Sequence, residues 1–380
     1  MKTLCRLACL ALIALATPLR AAGDAAELAQ AAASELAAAH DRLERAEGAS
    51  DRVAALTATI AAYEKGLAAM RESLRAAALR EARIRAEFEA QRDEIAALLG
   101  TLQTLSREPA PVLMLHPDGP IGTARSGMLM AEATPALNAR VVELRERLME
   151  ARQMRAVQEA AADQLAQALS GVQQARTALS QAVAERTDLP RRFTADPIKT
   201  QILMATAETL RAFAEGLPEI TDGPEDPAPQ DIPALKGELA LPVQGTLLRR
   251  AGETDAAGIT RPGIVLATRP RALVTTPLPA TIRYLGPLLD YGNVIVLEPA
   301  SGLLFVLAGL DIVYGEMGEV LPQGAPIGLM GGEDPEPGAI LTQAQRGSGQ
   351  DRSETLYMEV REGGTPQDPE TWFAVTKDTQ

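Results

Sequence analysis

Residues 355–361 read Thr355-Leu356-Tyr357-Met358-Glu359-Val360-Arg361. Side chains alternate across an extended strand, so Thr355, Tyr357, Glu359 and Arg361 share one face while Met358 and Val360 share the other. The same reading spreads upstream. Gly263 to Ala267, Ala272 to Thr275, Thr281 to Tyr284, Val294 to Glu298 and Leu303 to Ala308 are short apolar runs between Gly and Pro turns, which is the pattern of successive strands. Together they predict an all-β domain over 239–376, with two sheets around a groove. The stretch from Gly331 to Ser353 is polar and rich in Gly and Gln, and is expected to be a mobile loop beside that groove.

The chain is poor in metal donors. It has two histidines, His40 and His116, both outside this region, and two cysteines, Cys5 and Cys9, in the first ten residues. Catalytic zinc is held by three protein ligands drawn from His, Cys and carboxylates, with a fourth position left for water. A site of carboxylates alone favours harder ions. No cofactor and no zinc hydrolase activity are therefore expected.

Across 239–373 the ordered motifs resemble the LytM, or lysostaphin-like, peptidoglycan endopeptidases. Leu241, Pro242 and Gly245 match that family's opening Leu-Pro-x-x-Gly strand. Its zinc-binding His-x-Gly-x-Asp corresponds to Arg261, Pro262, Gly263, Ile264 and Val265, with the glycine kept and both ligands replaced. Tyr-Ala-His stands as Leu307, Ala308, Gly309, and the closing His-Leu-His-Phe-Glu-Ile as Thr355 through Val360. Asp290 to Asn293, Met317 to Val320, Gln323 to Gly328 and the tail Pro366 to Pro369 with Trp372 fill the intervals. The resemblance implies a degenerate peptidase whose ligand and catalytic positions are Arg261, Val265, Gly309, Thr355 and Tyr357. Arg261, Tyr291, Tyr357 and Arg361 become candidates for a protein-binding groove, since Tyr and Arg are frequent interface anchors. The alternative is that Tyr357 only fills the vacated metal cavity.

Lys2 and Arg6 precede an apolar run from Leu7 to Ala16, followed by Thr17 to Ala22. This is the layout of an export signal over 1–22, too short to span a bilayer, with cleavage expected near Ala21 or Ala22. The remainder would lack cysteine, and its formal charge would move from −13 to about −16 on loss of three basic residues. So acidic a chain is unsuited to nucleic acid, whose binders present basic surfaces. The expected destination is the periplasm.

From Val53 a heptad repeat continues through Leu56, Ile60, Tyr63 and Leu67 to Leu105 without proline, a coiled-coil signal worth a helix of roughly 80 Å at 1.5 Å per residue. Glu81 and Gln91 interrupt its seam, as polar residues that fix register do. A second, weaker register runs from Leu137 through Val141, Leu144 and Leu148 to Val183. The two predict a long antiparallel coiled-coil hairpin over 23–188 with its tip at 107–136; a parallel homodimer of each helix is the alternative. The tip is apolar, with Leu113 and Leu115 in one run and Met128 and Leu129 in another. Either these residues cap the hairpin or they bind a partner.

Arg107 to Pro111 and the apolar run after it resemble the connecting segment of EnvC-type murein hydrolase activators, which extends the likeness to nearly the whole exported chain. After the coil, Asp196 caps a helix with Pro197 at its first turn, and Ile202, Leu210 and Phe213 lie on its apolar stripe within 189–217. Such a helix is too short to stand alone. It packs either on the coil base or, as the resemblance implies, over the groove as an autoinhibitory element. A Pro-rich acidic linker over 218–238 follows. The fold class is thus α+β multidomain, a coiled-coil hairpin followed by an all-β degenerate LytM-like domain. The resemblance implies a non-catalytic activator of N-acetylmuramoyl-L-alanine amidases in daughter-cell separation, with an FtsEX-type division complex and a cell-wall amidase as partners. The other reading is an envelope scaffold that binds peptidoglycan through the same groove.

Overall fold

A computed structural model describes residues 31, 34–93, 96–97, 100, 119–186, 189–192, 197–207, 209–216, 235–254, 258–334 and 353–374. The expected export signal, the run with Leu113 and Leu115, most of the linker and the bulk of the Gly-rich insert lie outside these residues. Among the described residues no helix is long and apolar enough to cross a membrane. The chain forms two compact units, one built from Met70–Gln164 and the other from the chain up to Ala69 with most of the chain after Leu165.

Two long helices, α1 (Ala49–Ala90) and α2 (Gly119–Ala184), contribute to both units. In the first unit Arg80 meets Glu150 (2.6 Å), Arg147 meets Glu87 (2.7 Å) and Arg155 meets Glu81 (3.2 Å). These pairs set residues 80–87 of α1 against residues 147–155 of α2. Glu81 makes its seam position polar and finds a cation on the facing helix. Val141 and Leu148, expected in the seam, are exposed. α2 begins at Gly119 and continues through Pro135. Pro120 sits at the helix start, where its missing N–H removes nothing, and Pro135 alone interrupts the ladder.

In the second unit the heptad residues Ile60, Leu67, Leu165, Val172 and Leu179 are buried. A Cβ on Gly171 would sit 2.6 Å from the Tyr63 hydroxyl, so glycine there admits the ring between helices. Arg176 reaches both Glu64 (3.3 Å) and Asp334 (2.8 Å), and the Leu273 N–H donates to Glu64 (2.9 Å). Burial lifts the Glu64 carboxyl above its usual range, with the Arg176 charge opposing.

The β region is one ten-stranded antiparallel sheet. Its strands are β1 (Gly245–Arg249), β2 (Ile264–Thr268), β3 (Leu273–Thr275), β4 (Ala280–Pro287), β5 (Asn293–Ala300), β6 (Leu303–Val313), β7 (Val320–Leu321), β8 (Pro326–Met330), β9 (Glu354–Glu362) and β10 (Thr365–Gln367). The order is β1-β2-β9-β6-β5-β4-β7, with β10 on β9 and β8 joining β3 to β6. The two sheets expected from sequence are therefore continuous through β6. Its first half pairs with β5 and β9 and its far end with β8. Gly309 lies between these halves at φ 98°, and a Cβ there would fall 2.6 Å from the Thr355 carbonyl. Only glycine accepts both the dihedral and the approach.

The main core takes one face of each strand: Ile264 and Leu266, Leu303, Phe305 and Leu307, Leu356, Met358 and Val360, closed by Trp372 and Phe373. Met358 and Val360 thus occupy the inward face that alternation assigns them. The single helix expected over 189–217 is two, α3 (Pro197–Thr206) and α4 (Leu210–Gly216). It starts at Pro197 as the sequence predicts. The break falls where Thr209 Oγ1 accepts the Ala212 N–H (3.1 Å), a side-chain cap that begins a new helix.

Candidate functional site

The opposite face of the sheet carries Tyr284 on β4, Val294 and Val296 on β5, and Leu304, Val306 and Ala308 on β6. These residues alternate with the main-core residues, so the sheet is apolar on both sides. The second face is closed by α3 and α4. Ala207, Leu210, Phe213 and Ala214 are buried on it, and Phe213 is 0% exposed. The Phe213 ring meets Tyr284 edge-on at 4.6 Å, a favoured aromatic geometry. The Tyr284 hydroxyl donates to the Pro287 carbonyl (2.7 Å), so the ring is held from both ends.

At the edge of this face stands Tyr357, half-buried and packed against the same cluster. Its neighbours across the strands are Val265 on β2 and Ala308 on β6. The Gly263 N–H donates to the Tyr357 hydroxyl (3.2 Å), which donates to Glu359 Oε2 (2.8 Å). Arg361 Nη1 donates to Glu359 Oε1 (2.7 Å), and its Nη2 to the Gly364 carbonyl (2.6 Å). Burial pushes the Tyr357 phenol far above its ordinary value, and the Glu359 charge adds to the effect. The Tyr357 hydroxyl therefore keeps its proton and donates it in a hydrogen bond to Glu359. Tyr291 lies beside it with ring centroids 6.4 Å apart, and the Arg261 guanidinium sits 5.9 Å from the Tyr291 centroid.

These side chains do not suit a metal. Arg261 is a cation, Val265 and Gly309 offer no side-chain donor, and Thr355 is exposed at the strand start. A Cβ on Gly263 would lie 2.6 Å from the Tyr357 ring and 2.4 Å from the Met358 carbonyl, so the phenol fills the place between the strands. Among the described residues no group of three or more His, Cys, Asp or Glu side chains could hold a metal.

Of the residues singled out from sequence, Arg261, Val265, Gly309, Tyr291, Thr355 and Tyr357 come together at one end of the face. Arg361 does not join them as a groove residue. It shares their side of β9 but is 0% exposed and paired with Glu359, as a buried guanidinium must be. Leu210 and Phe213 do cover the face, whereas Ile202 is 57% exposed; the break at Ala207 to Thr209 means that α3 and α4 do not present one continuous stripe. Met128 is 75% exposed; Leu113 and Leu115, and the side chain of Leu129, lie outside the described residues. Sequence reasoning missed Tyr284 as the floor beneath Phe213 and Glu359 as the link between Tyr357 and Arg361. The signal for Glu359 was present, since an acid between a tyrosine and an arginine at period two on one face has both within reach.

No family model matches this chain. It is 27% identical over 139 residues to an uncharacterized protein of Neisseria meningitidis serogroup B, a match that covers 37% of this chain and 20% of that protein. The solved structures similar to it include M23 peptidases. Helicobacter pylori Csd3 is 18% identical with a TM-score of 0.28, over 37% of this chain and 36% of that one. A putative peptidase M23 from Pseudomonas aeruginosa is 15% identical with a TM-score of 0.30, over 44% and 61%. The catalytic domain of lysostaphin from Staphylococcus simulans is 17% identical with a TM-score of 0.26, over 33% and 89%. The chain thus spans a fifth of the relative and about a third of Csd3.

Proposed function

We propose that this chain is a non-catalytic, periplasmic activator of peptidoglycan amidases that acts in cell division, and that its sheet face is autoinhibited by α3 and α4. The observation that carries the reading is the cover itself. A short helix pair that contributes nothing to the main core is seated by Phe213 and Leu210 on an apolar sheet face, beside a site where a phenol stands in place of metal ligands. Short helices of this kind gain their stability from the surface they cover, and an apolar face shielded by a removable piece of the same chain suits a regulated docking surface. In this reading an antiparallel hairpin of α1 and α2 carries the chain to an FtsEX-type complex at the inner membrane. Removal of the helix pair then exposes the face to a zinc-dependent N-acetylmuramoyl-L-alanine amidase.

The test mixes purified chain, amidase and dye-labelled cell wall. An activator raises dye release above that of the amidase alone and releases none without it. Co-sedimentation with cell wall and no change in dye release would replace this reading with that of a peptidoglycan-binding scaffold.

A further inference from the structure

The stretches of α1 and α2 that belong to the second unit rest on β3 and on the segment after β8 through a buried polar contact. At its centre is Glu64, 8% exposed. Two carboxylates there share one guanidinium. Arg176 Nη1 donates to Asp334 at 2.8 Å, whereas Nη2 reaches Glu64 Oε1 at 3.3 Å, and Asp334 also accepts from Gln173 (3.5 Å). The cation is thus committed to the other acid, and Glu64 keeps the weaker half of it. The remaining charged groups around Glu64 do not make up the difference. Arg269, in the turn before β3, acts on Glu64 by charge and with less effect than Arg176. Arg271 pairs with Asp311, and Lys65 on α1 pairs with Glu35. The Tyr314 hydroxyl shares a hydrogen bond with Ser180 (3.0 Å), and burial raises its phenol above the ordinary value, so it stays neutral in acid.

We infer that seating α1 and α2 on the sheet binds one proton at Glu64, so that the seat is tighter in mild acid than at neutral pH. The placement of the bonds permits this. The Leu273 N–H (2.9 Å) and Arg176 both donate to Oε1, so a proton on Oε2 leaves Oε1 as the acceptor they use. Burial disfavours the charged carboxylate, and it is the largest influence on this group, raising its proton affinity against the opposing Arg176 charge. A group that holds its proton more tightly when seated adds stability below the ordinary glutamate value of about 4.3 and loses that contribution as pH rises through its higher, seated value. One proton changes the seated-to-released ratio by at most about tenfold per pH unit. The inference stands apart from the amidase reading, since it concerns the seat of the long helices and not the covered sheet face.

Amide hydrogen exchange at Leu273 tests this in the full chain, because that N–H donates to Glu64. Protection is measured between about pH 5 and pH 7 and referred at each pH to the rate of an unstructured amide, for the wild type and for Glu64→Gln, which is neutral and keeps an oxygen for Leu273. At about pH 7 the variant should be at least as protected as the wild type, and the ratio of wild-type to variant protection should climb as pH falls, by up to about tenfold per unit. Asp334→Asn hands Arg176 to Glu64 and should move the climb to lower pH. A ratio that stays flat or falls on acidification overturns the inference. So does a Glu64→Gln chain that is unfolded or less protected at about pH 7, since the ionised carboxylate would then be what holds the seat, and so does an Asp334→Asn chain with the wild-type pH response.

Discussion

Truncating Phe213 to alanine is the sharpest probe of the covered face. Phe213 is fully buried, has Tyr284 at 4.6 Å, and sits in a helix of seven residues. A buried Phe→Ala change removes about 3–5 kcal/mol, and at about 1.4 kcal/mol per tenfold this raises the open-to-covered ratio from roughly a hundredfold to a few thousandfold. The loss should be local, because the main core around Phe305 and Trp372 does not include this residue. Amide hydrogen exchange resolved by segment is the assay. Exchange in 210–216 should accelerate by about that factor while β5, β6 and β9 keep their protection, and full-length protein should become a stronger amidase activator. Unchanged exchange in 210–216 would refute the claim that Phe213 holds the cover. Accelerated exchange without any gain in activation would show that the partner does not use this face.

Three further outcomes follow from the same geometry. Arg361→Leu leaves Glu359 buried without its cation and should lower stability by about 3–5 kcal/mol, read as a drop in Tm; a normally stable variant that had lost only partner binding would restore Arg361 to the groove. Tyr357 holds its proton more tightly folded than unfolded, so the folded state binds the extra proton and stability should fall as pH rises past the ordinary tyrosine value of about 10; Tyr357→Phe should flatten that part of a stability-against-pH curve, and an unchanged slope would show that the phenol is not the titrating group. Since Arg261, Val265, Gly309, Thr355 and Tyr357 supply no zinc set, chelator should leave Tm unchanged and purified protein should hold no stoichiometric zinc by elemental analysis; one zinc per chain would contradict the fit of these residues.

Much of this protein is written in local pattern. Period-two alternation in 355–361 put Met358 and Val360 in the core and Tyr357, Glu359 and Arg361 on the far face, because alternation depends only on the backbone repeat; Ile60, Leu67, Leu165 and Leu179, which the heptad spacing picks out, are buried. Asp196-Pro197 likewise marked where α3 begins. What pattern could not supply was depth and partnership. The sheet's continuity through Gly309 depends on how closely the Thr355 carbonyl approaches, and buried Arg361 is held by Glu359 and the Gly364 carbonyl. Ile202 and Phe213 look equivalent on a helical wheel, yet one is exposed and the other fully buried, since the Thr209 cap breaks the helix between them. The sequence alone determined which faces are apolar; only the tertiary structure decided which apolar face is covered, and by what, because burial of a face is a property of the surface brought against it.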